Sequence, residues 1–417
     1  VNAVGPVAQP ERISSLDTLR GFALLGILVM NIQSFAMPFA AYFNPTAYGD
    51  LTGINLAVYA VGRLLFDQKF MTIFSVLFGA GIVLLTTRME ARGEKPARIH
   101  FRRMVWLLVF GLAHAYLIWY GDILVLYALC GFLVYFFRKL SPRTLLIVGL
   151  AVLMVSPLIS VMGGLSMPYW PEEELQKFSD EMWLPPPERI AAEVSAYRGG
   201  WLAQMPDRVE KSIGFHAFYI WIWGIWRAGG LMLIGMALYK WGVLKGECST
   251  AFYRKMFLGG ALAGISLTGY GAYRNFAANW DVMYSFFWGD LWNYFGSLLM
   301  SAGWVGMVML ACKHRVAPAL ERRLAAVGQM AFTNYLLHTI LSTTFFYGHG
   351  LGYFGSFERW QQLLFVAAVW AIQLVLSPIW LRHFRFGPFE WLWRSLTYGA
   401  AQPFRRAVAE PSTAPAG

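Results

Sequence analysis

Leu16-Asp17-Thr18-Leu19-Arg20-Gly21-Phe22-Ala23-Leu24-Leu25-Gly26-Ile27-Leu28-Val29-Met30-Asn31 opens the first of ten long apolar segments in the chain. A charged pair at its start and an amide in its middle stand where lipid alone disfavours them, which marks a polytopic membrane protein with polar residues turned inward. A spanning helix needs roughly 20 apolar residues. The segments that fit or approach this are 17–38, 68–88, 104–120, 122–137, 143–164, 214–240, 252–273, 284–312, 325–347 and 361–381. The pair at 104–120 and 122–137 is short and reads as a tight hairpin. Residues 54–67 are apolar too, but Arg63, Asp67 and Lys69 interrupt them, which predicts a surface or re-entrant helix and leaves ten or eleven spans.

Composition excludes an ordinary soluble domain: 57% of residues are hydrophobic, 14% are charged and the mean hydropathy is +0.48, against a charged fraction of about a quarter in soluble proteins. The fold expected is all-α, a transmembrane helix bundle. The net charge of +11 is explained by topology, not by nucleic acid. Basic residues crowd the connections at 88–103, 138–143, 240–255 and 313–323, and the positive-inside rule makes these four cytoplasmic. Ten spans then put both termini inside and the acidic connection 165–213 outside. One transmembrane domain, 14–400, is expected between tails at 1–13 and 401–417. The first segment could also be read as a cleaved signal sequence, against which its length and Asn31 both argue.

Within 165–213, residues 188–205 have helical apolar spacing at Ile190, Val194, Tyr197 and Trp201, which predicts an amphipathic helix over the outer mouth, either a lid or a resting connector. The three cysteines, Cys130, Cys248 and Cys312, have no paired spacing, and no disulfide framework or metal site is expected. Nucleotide-loop, zinc-hydrolase and serine-elbow motifs are absent.

Chemistry must then come from polar residues inside spans. Asp17 and Arg20 share one helical face at the cytoplasmic start of the first span, where a cap and a snorkelling arginine would also explain them. Asn31 stands about 16 Å above Arg20 at 1.5 Å per residue. In Phe110-Gly111-Leu112-Ala113-His114 the imidazole follows Arg103 by eleven residues, and in Met330-Ala331-Phe332-Thr333-Asn334-Tyr335-Leu336-Leu337-His338 it follows Arg323 by fifteen. Asn31, His114, Asn334 and His338 thus fall within roughly two helical turns of one another in depth, which points to one buried polar site. Separate interhelical hydrogen bonds are the competing explanation. Asp122 caps the helix after the hairpin tip or reaches toward His114. Arg227, well inside its span, requires an anionic partner or ligand, with Asp290 and Asn293 as candidates.

The first-span stretch, Phe110-Gly111-Leu112-Ala113-His114 with Gly121-Asp122-Ile123-Leu124, the run Gly230-Leu231-Met232-Leu233-Ile234-Gly235-Met236, Met330-Ala331-Phe332-Thr333-Asn334-Tyr335-Leu336 and Gly387-Pro388-Phe389-Glu390-Trp391-Leu392-Trp393-Arg394 together resemble the YeiB-like family of bacterial inner-membrane proteins, domain of unknown function 418. The resemblance covers roughly 14–400 and implies the inner membrane. The Leu-Asp-x-x-Arg-Gly start leading to a mid-helix polar residue is also similar to the wider transmembrane acyltransferases. These carry an acyl group from cytosolic acyl-CoA to an acceptor on the far side. The sugar O-acetyltransferases end this motif in His; here Asn31 stands there, as an Asn does in the heparan glucosaminide enzyme, and no histidine follows before His100.

What the resemblance implies is a donor site at Asp17, Arg20, Arg102, Arg103 and Arg227, with His338 or His114 as base or acyl carrier, Asn31 and Asn334 as oxyanion donors and Asp122 in support. Acyl-CoA would be a co-substrate, with no tightly bound cofactor. The partners expected are the bilayer and an acceptor the sequence does not name, with a homodimer open. A transporter or flippase for an amphipathic solute, or a non-catalytic membrane partner, is the alternative.

Overall fold

The computed structural model describes residues 14–406; the tail expected at 1–13 and residues 407–417 lie outside the described residues. α1 (Ser14–Ala36) is followed by the single turn α2 (Ala40–Phe43), by α3 (Gly53–Val61) with a π-helical turn at 62–66, and by α4 (Lys69–Ala91). α5 (Pro96–Leu117) and α6 (Leu124–Val134) make a hairpin, and α7 (Pro142–Ser166) leads to α8 (Glu172–Phe178), α9 (Pro187–Arg198) and α10 (Met205–Gly214). A π-helical stretch at 215–224 joins α10 to α11 (Ile225–Lys240). Beyond it come α12 (Thr250–Ala277), the short α13 (Val282–Tyr284), a π-helical turn at 285–289 and α14 (Asp290–His314). α15 (Pro318–Gln329), α16 (Ala331–Phe346), α17 (Arg359–His383) and α18 (Pro388–Tyr398) complete the chain.

Lipid offers the backbone no hydrogen-bond partner, so apolar segments close their own N–H and C=O groups as helices. Their starts are written locally: Ser141 Oγ accepts the Thr144 N–H and Ser249 Oγ the Phe252 N–H, both at 3.2 Å. Proline occupies the first turn of α5, α7, α9, α15 and α18, where its missing N–H costs nothing.

Among the described residues six helical segments are long and apolar enough to cross a membrane: Ser14–Ala36, Gly53–Ala91, Pro142–Tyr169, Met205–Lys240, Val282–His314 and Arg359–His383. All ten expected apolar segments are helical, and the four outside this set differ for visible reasons. α5 begins at Pro96 and carries Arg98, Arg102 and Arg103 within it; Leu124–Phe137 is short; α12 is diluted by Arg254, Lys255 and Arg274. The segment expected at 325–347 is two helices, because the backbone breaks at Met330 (φ −108°, ψ 32°).

Small residues set the closest crossings. A Cβ on Gly21 would lie 1.9 Å from Leu324 O and one on Gly328 2.0 Å from Asp17 O, so α1 and α15 touch backbone to backbone. Gly79 and Gly235 do the same for α4 and α11.

The four basic connections share one end of the bundle. Lys240 Nζ donates to Leu140 O at 2.6 Å, Lys313 Nζ to Cys248 O at 2.7 Å and Arg138 to Glu90 at 3.3 Å, while Trp393 Nε1 on α18 reaches Arg103 O at 3.0 Å. The long acidic connection covers the opposite end. The helix expected over 188–205 stops at Arg198, where Gly199 and Gly200 interrupt it, and Trp201 instead donates to Leu117 O at 2.8 Å. α9 is pinned down: Glu193 accepts the Phe39 N–H at 3.0 Å, Tyr197 O accepts the Gly348 N–H at 2.8 Å and Arg198 donates to Phe354 O at 2.7 Å. Residues 401–406, expected as the start of a tail, fold back so that Phe404 packs on Phe384 and Trp391, with ring centroids 4.7 and 5.1 Å apart.

Candidate functional site

The α5–α6 hairpin places His114 on the last turn of α5, and Gly111 lets α6 approach so closely that a Cβ there would meet Val125 N at 2.6 Å. His114 Nδ1 lies 2.8 Å from Asp122 Oδ1, and Asp122 Oδ2 accepts the Val125 N–H at 2.7 Å. One carboxylate thus does both things read from the sequence, capping α6 and holding the histidine. On the far side of the ring His114 Nε2 lies 2.9 Å from Thr339 Oγ1 of α16. An ionised Asp122 accepts only, which keeps the ring proton on Nδ1 and leaves Nε2 to accept from the Thr339 hydroxyl. Both side chains of the hydrogen-bonded pair are buried, at 1% and 0% exposure, and Tyr335 packs its ring 5.4 Å from the imidazole.

His338 faces elsewhere. One residue before Thr339, it is turned by about 100° on a helix of 3.6 residues per turn. Its Nε2 donates to Gln373 Oε1 of α17 at 2.9 Å, and Gln373 Nε2 donates to Asn334 O at 3.0 Å. The Asn334 amide donates to Ser377 Oγ at 3.0 Å and Val327 O at 3.2 Å. The expectation that Asn31, His114, Asn334 and His338 share one buried polar site is therefore corrected: Gln373 orients the His338 ring, and the two histidines belong to different helix interfaces. His338 Nδ1 is buried without a hydrogen-bond partner. Asn31 is half-buried on α1 and stands outside both chains of hydrogen bonds. Sequence reasoning missed Thr339, Gln373 and Ser377, although a polar residue inside an apolar span was the signal that found the others.

The residues expected to hold an anionic donor do not form one site. Arg20 pairs with Asp17 at 2.8 Å on the same turn. Arg103 lies over the Trp393 ring at 4.4 Å. Arg102 lines a cleft of about 400 Å³ with Met89, Glu94, Lys95, Arg98, Ile99 and Tyr398, and a neighbouring one of about 330 Å³ beside Trp106 and Gly399. Lys95 and Arg98, not singled out in the sequence, supply the rest of its positive charge.

Arg227 is fully buried and its carboxylate is missing. Asp290, the expected partner, instead takes Arg63 Nη2 at 2.8 Å and the Gln68 amide at 3.2 Å, while Asn293 accepts from Lys69 at 2.6 Å and donates to Asp67 at 2.9 Å. Among the described residues Arg227 donates to neutral acceptors only, namely Thr72 Oγ1 at 3.0 Å, Ser297 Oγ at 2.6 Å and Tyr294 O at 3.4 Å.

Comparison with known proteins places this architecture in a family. Residues 238–400 match the family model described as "Protein of unknown function (DUF418)". The uncharacterized protein YeiB of Escherichia coli (strain K12) is 34% identical over 410 residues, covering 94% of this chain and 98% of that one. The uncharacterized protein YxaH of Bacillus subtilis (strain 168) is 32% identical over 425 residues, covering 97% and 99%. A third relative, the uncharacterized 39.9 kDa protein in the amylase 3′ region of Bacillus acidopullulyticus, is 27% identical over 406 residues, covering 95% and 97%. No solved structure matches. The stretches that carried the resemblance have structural work in this fold: Gly21 makes the α1–α15 contact, His114 and Asp122 form a buried pair, and Glu390 of Gly387-Pro388-Phe389-Glu390-Trp391 caps α16. The chain belongs to the YeiB-like, DUF418 family of bacterial membrane-helix proteins.

Proposed function

We propose that the protein is a transmembrane acyltransferase of the bacterial inner membrane, with about ten spans and both termini cytoplasmic. It would take an acyl group from cytosolic acyl-CoA and deliver it to a periplasmic or membrane-embedded acceptor. The observation that carries this reading is the Asp122–His114–Thr339 array, a carboxylate, an imidazole and a hydroxyl joined at 2.8 and 2.9 Å in a dry setting. In such an array Nε2 is the basic atom, and the carboxylate on Nδ1 stabilises the imidazolium that forms when Nε2 takes a proton.

The donor belongs at the basic end. Lys95, Arg98 and Arg102 suit the phosphates of a nucleotide thiol, and the twelve residues from Arg102 to His114 span about 18 Å of helix at 1.5 Å per residue, a separation an extended pantetheine arm can cover. The basic connections gathered at that end support its cytoplasmic assignment. In the reaction, His114 Nε2 removes the proton from an acceptor hydroxyl or amine as that atom attacks the thioester carbonyl. The carbon–sulfur bond breaks, the thiolate leaves, and the imidazolium returns the proton to it.

Transfer from radiolabelled acyl-CoA by the purified full chain tests the proposal. Wild type should form an acylated product in the presence of membrane extract, and His114→Ala should not. Equal label transfer by both would remove His114 from the chemistry, and no transfer by wild type would sink the enzyme reading and leave a carrier that binds without chemistry.

A further inference from the structure

Arg63, Lys69 and Arg227 bring three basic side chains into one region of the bundle, where Asp67 and Asp290 bring two carboxylates. Both carboxylates are spent: Asp67 holds Arg63 and Asn293, and Asp290 holds Arg63 and Gln68. Lys69 is satisfied by Arg63 O and Asn293 Oδ1, each at 2.6 Å. Arg227 is left without a carboxylate among the described residues: its Nε is buried with no hydrogen-bond partner and its guanidinium lies over Tyr294 at 4.3 Å and Trp223 at 5.2 Å. A guanidinium offers five N–H groups and keeps its charge at any working pH, so it cannot relieve the cost of burial by losing a proton.

Leading to Arg227 is a stripe on the same helix: Phe215, Tyr219 and Trp223 follow at four-residue intervals, with successive ring centroids 5.0 Å apart. All three rings are half-buried, while Phe218, Trp221 and Ile222, at 47 to 65% exposure, form the outward face. The stripe is therefore partly covered and is set apart from the outward face. At its other end Lys211 is already matched by Glu193 at 2.5 Å and Asp207 at 2.7 Å, so it competes poorly for an anion. Three of the four π-helical stretches among the described residues, 62–66, 215–224 and 285–289, carry Arg63, the aromatic stripe and the approach to Asp290, the fourth being 179–183; such stretches are rare and often mark functional sites.

We propose that Arg227 is the anion-binding end of an elongated site that takes an amphiphile with one carboxylate or phosphate, its apolar body lying along Trp223, Tyr219 and Phe215. The anion supplies the charge the protein withholds, and the rings supply contact area that does not depend on sequence in the ligand. This site stands whether or not His114 is catalytic.

The test uses the full chain in neutral detergent, with thermal unfolding and tryptophan fluorescence read during titration with decyl phosphate, decanoate and, as the uncharged control, decanol. Wild type should respond to the two anions and not to decanol, and Arg227→Met should weaken anion binding at least tenfold. Trp223→Ala leaves the buried charges in place and should weaken binding several-fold, which keeps the test sound if Arg227→Met fails to fold. Native mass spectrometry then separates the sources: a phospholipid retained by wild type and lost from Arg227→Met identifies a lipid headgroup, and binding of decanoate or decyl phosphate with no retained phospholipid identifies a free amphiphile. Decanol binding as tight as decyl phosphate, or unchanged anion binding in Trp223→Ala or Arg227→Met, would overturn the proposal.

Discussion

Glu390 and Thr333 lock the surface helix α18 to the broken start of α16. The carboxylate accepts the Phe332 N–H at 2.6 Å, the Thr333 N–H at 3.0 Å and the Thr333 hydroxyl at 2.5 Å, satisfying donors that the break at Met330 leaves without intrahelical partners. Gly387 is required beside it, since a Cβ there would lie 2.2 Å from Glu390 Oε2.

Glu390→Ala should therefore lower stability by about 1 to 3 kcal/mol, the cost of leaving buried donors unsatisfied. Burial pushes the Glu390 carboxyl above its usual range, against the lowering effect of its hydrogen bonds. The folded state then holds a proton more tightly than the unfolded one, so this group's contribution is greatest below the ordinary glutamate range and declines as pH rises through the raised value. Thermal unfolding against pH should show that decline in wild type and not in Glu390→Gln.

The two histidines should separate by phenotype. His114→Ala is expected to reduce acyl transfer by about 10² to 10⁴-fold, the usual worth of a general base, with donor binding nearly intact. Asp122→Asn should be comparably damaging because an amide no longer compels the Nδ1–H tautomer. His338→Ala should instead act on stability, by about 1 to 3 kcal/mol, since it orphans Gln373. Single-turnover transfer and thermal unfolding measured on the same three proteins check the division, and equal transfer rates for His114→Ala and His338→Ala would contradict it.

Arg102 and Arg103 are neighbours with opposite expectations. Arg102→Gln should weaken acyl-CoA binding measured by calorimetry, and wild-type binding should itself weaken in 1 M salt, where the screening length is about 3 Å. Arg103→Gln should leave donor affinity alone and cost about 0.5 to 2 kcal/mol of stability through loss of its stacking on Trp393. A larger affinity loss at Arg103 would place the donor elsewhere.

Orientation is open to direct labelling. A cysteine introduced at Ser179 should react with a membrane-impermeant maleimide in intact cells, and one at Lys139 only after permeabilisation. The reverse pattern would invert the assignment of the basic end.

The helical segments were legible because lipid enforces both their length and their apolar character, and the gathering of basic connections at one end followed from charge alone. Depth along the helix was legible too, and it brought His114 and His338 to a similar level. Rotation was not. A one-residue step turns a side chain by about 100°, and the polar residues of α16, from Thr333 to Thr344, lie all round the helix, so they do not tell which face meets α5 and which meets α17. Thr339 and Gln373 decide this, and both are the second member of a pair whose partner lies far away in sequence. Arg227 was read as requiring an anion, but the carboxylate nearest in sequence logic, Asp290, is claimed by Arg63 across a helix break that hydropathy does not show.

The cover over the acidic end carries a statement about the order of synthesis. Arg359 donates to Asp50 O at 2.7 Å and Pro45 O at 2.8 Å, across 309 and 314 residues, and the Gly355 N–H closes onto Ala36 O at 2.8 Å. The loop after α1 is thus made first and fastened last. During elongation the ribosome must deliver nearly the whole chain before that seam can shut, so α1 and its polar face wait, unsealed, for the final quarter of the protein to arrive.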